Sequence, residues 1–226
     1  MRSCSICGTL VELMEGSRTC SYCGQAEEGD HACANGHYTC QACRSAVPSE
    51  LVARVCENSL ETDPIALADL IISHPVFNQM GPQYHVVTGP VLVTMLANIG
   101  KIPDKRKVIA EAIERSKNVP ALSCAQRGVC GAAVGAGVAV AMLTNAGPLT
   151  AKERSLAMKA TSSALERIAT QSGVRCCRQS VYAAIEAAVQ ILNAEMGIKL
   201  PIMSARCRYA DRTTECKHNG CPYHGT

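Results

Sequence analysis

The chain has no tryptophan and a single phenylalanine, Phe77, and aromatic residues make up only 3% of its 226 positions. Its interior must therefore be assembled from aliphatic and small side chains. It also lacks a long hydrophobic run. The longest apolar stretch, "CGAAVGAGVAVAML" at 130–143, falls short of the roughly 20 residues that cross a bilayer, so it reads as a buried helix and no membrane association is expected. The N-terminus has no charged segment followed by an apolar one, and the cysteine total is odd at fifteen. Together these argue against a secreted disulfide scaffold and for a reducing cytoplasm. Strong charge is missing too. The net value is +3, with residues 1–50 at −3 and residues 51–226 at +6. A basic face for nucleic acid is not indicated, and a protein partner, such as a larger redox or maturation complex, is the better expectation.

What the chain does have is cysteine, in two distributions. Seven of the fifteen lie in the first 44 residues, where helical periodicity is absent, and "SAVPSE" at 45–50 is a natural joint. Residues 1–45 read as a zinc-binding module too small to form a core alone. Residues 50–226 read as a helical domain. The expected fold class is mainly α: a compact helical domain with a small N-terminal zinc-ribbon-like module.

Helix boundaries follow from local chemistry. Asp63 before Pro64 caps "PIALADLIIS", which His74-Pro75 stops. Asp104 caps "KRKVIAEAIERS", and Thr150 with Glu153 forms a capping box for a helix that Gly173 closes. "QSVYAAIEAAVQILNAEM" ends at Gly197. The stretch at 131–144 carries glycine and alanine at most positions, which lets neighbouring backbones approach closely and places it at the domain's centre.

The front module holds Cys4-Ser-Ile-Cys7-Gly8 and Cys20-Ser-Tyr-Cys23-Gly24. Each Cys-x-x-Cys-Gly turn aims two sulfurs at one point, and its glycine permits a positive φ. Two such turns make a four-thiolate tetrahedral site for zinc, with a rubredoxin-like iron site as the competitor. Cys33, His37, Cys40 and Cys43 offer a second four-ligand set, and spacing leaves an interleaved pairing of the eight residues open.

Cys124, Cys130, Cys176, Cys177, Cys207, Cys216 and Cys221 are spread through the helical domain. Cys130 precedes the glycine-rich helix, and Cys176 and Cys177 precede the last long one, so the helix dipole is expected to hold these thiols as thiolates. Arg127, Arg175, Arg178, Arg206 and Arg208 lie within a few residues of them. A cubane iron-sulfur (4Fe-4S) cluster on four thiolates is anionic, and nearby cations offset its charge and tune its potential. Arg175 and Arg178, flanking the cysteine pair in "RCCR", are the candidates for that role. The competing interpretation treats these cysteines as small apolar core residues. His74, before Pro75, reads as a turn residue, and His85 as either a core imidazole bonded to backbone or a proton donor beside the cluster.

"HPVFNQMGPQYH", "CAQRGVCGAAVGAG", "RCCR" followed by Ser180 and Tyr182, and the tail Cys207, Cys216, Cys221-Pro222 together resemble an uncharacterised family known as domain of unknown function 5714, over roughly residues 1–226. That resemblance implies a setting in anaerobic bacteria or archaea and no particular reaction. It supports the seven dispersed cysteines as functional positions. Three functions compete on the sequence. The first is an iron-sulfur protein with one or two 4Fe-4S clusters and one or two zinc ions, acting in metallocofactor assembly, sulfur transfer or electron transfer. The second is a thiol-based sulfurtransferase or redox enzyme that uses Cys176 and Cys177 without a cluster. The third is a zinc-stapled adaptor with no chemistry.

Overall fold

The computed structural model describes residues 3–171 and 173–225. It opens with a two-stranded antiparallel hairpin, β1 (Val11–Thr19) and β2 (Ala26–Cys33), followed by a single turn of helix, α1 (Gln41–Arg44). From there the described residues are helical: α2 (Pro48–Asn58), α3 (Pro64–Ser73), α4 (Thr88–Asn98), α5 (Lys105–Lys117), α6 (Ser123–Gln126), α7 (Gly131–Thr144), α8 (Ala151–Thr170) and α9 (Cys177–Met196). The protein is mainly α with a small cysteine-rich module in front, as its composition leads one to expect. The last segment, from Gly197 on, contains only short 3₁₀ turns.

The caps explain where the helices begin. Asp63 accepts from the backbone N–H groups of Ile65 and Ala66, and Asp104 accepts from that of Lys107. Thr150 behaves differently from the expected capping box. Its hydroxyl turns back to the backbone of Gly147, so the first turn of α8 has no side-chain cap. His74 is a turn residue: its Nδ1 accepts from the Val76 N–H, and its ring meets that of Tyr22 edge-on at 5.0 Å.

Helix α7 packs against α4, α5, α8 and α9. Its glycines make the approach possible. A Cβ at Gly135 would lie 2.8 Å from the Gly89 backbone nitrogen, and one at Gly137 would lie 3.0 Å from the Ala157 carbonyl. Glycine costs about 1 kcal/mol relative to alanine in a helix, and the close packing offsets that cost. The front module is docked on this domain. The Tyr22 hydroxyl hydrogen-bonds Ser73 at 3.0 Å, and Arg208 from the tail donates to the Ile6 carbonyl at 2.9 Å. Among the described residues, no helix is long and apolar enough to cross a membrane.

Candidate metal centres

The eight candidate ligands of the front module form two groups: Cys4, Cys7, Cys33 and His37, and Cys20, Cys23, Cys40 and Cys43. The pairing is interleaved, which corrects the expectation that Cys4, Cys7, Cys20 and Cys23 share one site and Cys33, His37, Cys40 and Cys43 the other. The residues between the two Cys-x-x-Cys turns explain the difference. They form β1, nine residues long, and at about 3.3 Å per residue that strand holds the turns at opposite ends of the hairpin. The register pairs Val11 with Cys33, which returns Cys33 to the first turn. A parallel bridge between Cys20 and Tyr38 then carries Cys40 and Cys43 to the second turn.

The spacing within each group is that of metal ligands. A tetrahedron with metal–sulfur bonds of about 2.3 Å has edges of about 3.8 Å. Cys7 and Cys33 lie 3.7 Å apart at sulfur, Cys23 and Cys40 lie 3.6 Å apart, and His37 Nδ1 sits 3.3 to 3.7 Å from the sulfurs of Cys4, Cys7 and Cys33. Gly8, Gly24 and Gly36 take φ near +75° (79°, 72° and 78°) in the turns. Backbone N–H groups of Cys40 and Cys43 point at sulfur, each at 3.4 Å. Such donors stabilise thiolate. Both groups could hold a metal ion.

The helical domain brings its seven dispersed cysteines to the ends of α6, α7 and α9 and to the tail. They line two adjoining spaces. Cys124, Cys130, Cys176 and Cys177 line an open cleft of about 560 Å³, together with His85, Gln179 and Arg175. Cys176, Cys207, Cys216 and Cys221 line a closed chamber with Arg178, Gln179 and Tyr209. The chamber is tight, with a cavity volume of about 20 Å³.

Arg178 is the most unusual group in the domain. It is 2% exposed, on the first turn of α9. It donates to the Phe77 carbonyl at 2.9 Å and to the Thr213 hydroxyl at 3.0 Å, and it lies over the Tyr209 ring at 4.5 Å. Its Nε has no partner, and among the described residues no carboxylate pairs with it. Beside it, Gln179 is 6% exposed with an unpartnered Nε2. Gln179, Tyr209 and Thr213 were not legible as site residues. The one available signal was the place of Gln179 three residues after Cys176.

Two expectations about titration change. Burial pushes the Cys177 thiol up to about 11 and raises that of Cys176, outweighing the backbone donors and arginines that favour the anion. A helix start is not enough to make a thiolate when the sulfur is also desolvated. His85 takes the first of its two expected roles. Its Nδ1 donates to the Val119 carbonyl at 3.0 Å, a core-type hydrogen bond, and burial lowers its pKa. The neutral ring thus presents Nε2 as an acceptor, where a proton donor was the alternative. The remaining cysteine, Cys56, is fully buried beside Thr94, and its thiol is pushed up to about 12 by burial. It belongs to the core.

The molecule is thus a docked cysteine module with two groups that could hold metal ions, on a helical domain that gathers seven further cysteines around two spaces. The family model described as "Family of unknown function (DUF5714)" matches residues 52–224, and the chain belongs to that family. The match begins at Val52, so the shared part is the helical domain with its seven cysteines, and the expected extension of the resemblance over the front module does not hold. No curated protein and no solved structure matches the chain.

Proposed function

We propose that this is an iron-sulfur protein. Cys124, Cys130, Cys176, Cys177, Cys207, Cys216 and Cys221 carry cubane chemistry, and two zinc ions hold the front module together. Its work is metallocofactor assembly, sulfur transfer or electron transfer, in contact with a protein partner. The observation that carries this reading is Arg178. An ionised group taken out of water needs an opposite charge, because desolvation costs several kcal/mol per ion, and buried polar groups without partners are rare. The Arg178 Nε is orphaned beside the chamber ringed by Cys176, Cys207, Cys216 and Cys221. An anion held on those four sulfurs supplies the missing charge and the missing acceptor.

The spacing of the sulfurs supports a cluster over a single ion. Among the described residues, the two front groups alone gather three or more candidate ligand atoms within 4.8 Å of one another. A cubane spreads its four cysteine sulfurs wider than one tetrahedral ion does, which is compatible with helical-domain cysteines that line shared spaces without forming such a tight group. For the front groups, three thiolates with one imidazole and four thiolates are both donor sets suited to zinc.

The test is anaerobic purification of the full chain with iron, acid-labile sulfide and zinc analysis. Iron and sulfide in equal amounts, with broad sulfur-to-iron charge-transfer absorption, are expected. Arg178→Gln should keep the iron and lower the reduction potential, since removing a nearby cation disfavours the added electron. A folded, colourless protein that takes up neither iron nor sulfide on reconstitution would leave the thiol relay of Cys176 and Cys177 as the better account.

A further inference from the structure

We infer that the seven cysteines serve two centres and that the adjacent pair divides between them: Cys176 joins Cys207, Cys216 and Cys221 in the closed chamber, while Cys177 joins Cys124 and Cys130 in the open cleft, leaving one cubane iron there free to bind a small carboxylate. This rests on the iron-sulfur reading above and deepens it.

The division follows from the backbone at the start of α9. Cys176 is the N-cap, with extended backbone (φ −130°, ψ 107°), and Cys177 is the first helical residue; where the backbone is extended, successive side chains leave it on opposite sides. Cys207, Cys216 and Cys221 line the chamber and not the cleft, Cys124, Cys130 and Cys177 line the cleft and not the chamber, and Cys176 reaches both. Cys130 in turn is the N-cap of α7, so the starts of α7 and α9 meet at the cleft with no side-chain cap on their N–H groups.

The two spaces differ in what they admit. The chamber is walled on one side by the tail and lined by four cysteines, which suits a cluster that only exchanges electrons. The cleft, of about 560 Å³, is within the range of small-molecule sites; Cys176 reaches both spaces, and with Cys176 assigned to the chamber three cysteines remain for the cleft. Cys124, one of its ligands, is exposed on the four-residue helix α6. The cleft also holds polar groups that no protein atom satisfies. Gln179 reaches its wall with a buried Nε2 donor lacking any acceptor, and His85 offers Nε2 after spending Nδ1 on Val119. Arg175 lies on the lining with its side chain exposed. A donor amide and a guanidinium beside an iron with no cysteine ligand match the two oxygens of a carboxylate. His85 then provides the proton acceptor for a ligand bound there.

The experiment uses the full-length chain, reconstituted anaerobically. Wild type should bind iron and sulfide for two cubanes. Cys207→Ala and Cys177→Ala should each keep half, the first retaining the cleft cluster and the second the chamber cluster. Ferricyanide should convert the cluster of Cys207→Ala to a three-iron form, recognised by electron paramagnetic resonance and reversed by ferrous iron with dithionite, and leave that of Cys177→Ala intact. Citrate, the carboxylate probe, should shift the spectrum of reduced Cys207→Ala alone. Should either variant misfold by circular dichroism, Cys216→Ser and Cys124→Ser repeat the comparison. Failure of wild type to bind any iron or sulfide removes the iron-sulfur reading itself. Loss of the same cubane from both variants, or of both cubanes from either one, overturns the division, and two cubanes with no response to citrate overturn the open iron. Loss of the cleft cluster in His85→Ala would make His85 a fourth ligand and also overturn the open iron.

Discussion

Gly131 is the first residue of α7, immediately after Cys130, and its missing side chain is what lets His85 lie against the helix start. A Cβ built there falls 2.7 Å from His85 Cβ and closer still to two ring carbons. Because the clash reaches the root of the side chain, rotation of the ring cannot relieve it. Gly131→Ala must displace His85 and break its hydrogen bond to Val119. Helix propensity acts the other way, favouring alanine by up to about 1 kcal/mol. Losing the hydrogen bond costs about 0.5–1.5 kcal/mol, and overpacking a tight contact costs typically 1–3 kcal/mol. The net expectation is a loss of about 1–3 kcal/mol, and for a chain of this size each kcal/mol lowers Tm by roughly 2–4 °C. Denaturant unfolding of Gly131→Ala, His85→Ala and the double variant forms a cycle that isolates the contact. Truncating His85 removes the two ring-carbon clashes and leaves the Cβ contact at 2.7 Å, so the cost of Gly131→Ala should shrink in that background without vanishing. An equal cost in both backgrounds would show that His85 is not what Gly131 accommodates.

The interleaved front module makes a prediction about stoichiometry. Cys4→Ser with Cys33→Ser should release one of two zinc ions, whereas Cys4→Ser with Cys20→Ser should release both; metal analysis with the two results exchanged would restore the pairing in chain order. For the core, Gly135→Leu should destabilise by at least the 1–3 kcal/mol of ordinary overpacking, because even one carbon there meets the Gly89 backbone at 2.8 Å. Unchanged thermal stability would place α7 at the periphery.

Much of the helical domain was legible because its signals are local. Asp63 before Pro64, Asp104 before a charged amphipathic run and Gly197 at φ +65° each act within a few residues, and each works in the structure as its chemistry requires. Thr150 was misread because two acceptors compete for one hydroxyl, and the turn at Gly147 wins. The site was legible as a set of residues and illegible as a set of partners. Ligand pairing in the front module depends on strand register, and a run such as "VELMEGSRT" has too little alternation of buried and exposed residues to announce a strand. In the helical domain, the sorting of cysteines depends on which face of α9 meets the tail. The burial of Arg178 under Tyr209 and Thr213 joins segments about thirty residues apart, and nothing near Arg178 in sequence distinguishes it from the exposed Arg175.

That joining has a consequence for the tail. Residues 201–225 hold almost no regular structure, yet they carry three of the four chamber cysteines. Hydrogen bonds tie them to the rest, among them Thr213 to Arg178, Lys217 to the Gln171 carbonyl, Tyr223 to Glu186 at 2.8 Å, Arg208 to Ile6, and Met203 to Asp63, and Ala205, Tyr209 and Tyr223 are buried. Hydrogen bonds of this kind contribute about 1 kcal/mol each and three buried side chains a few kcal/mol more, against the entropy of ordering some 25 residues at about 1–2 kcal/mol apiece for backbone alone. On the proposed iron-sulfur reading, ligation through Cys207, Cys216 and Cys221 makes up the difference, as metal binding supplies folding free energy wherever a core cannot. Oxidative destruction of the cluster should raise hydrogen exchange across 201–225 by orders of magnitude while α4, α7 and α9 keep their protection. Arg178, uncovered by the departing tail, should become accessible to guanidinium-modifying reagents at the same time. Equal protection of the tail before and after cluster loss would show that packing alone secures it and that its cysteines are not ligands.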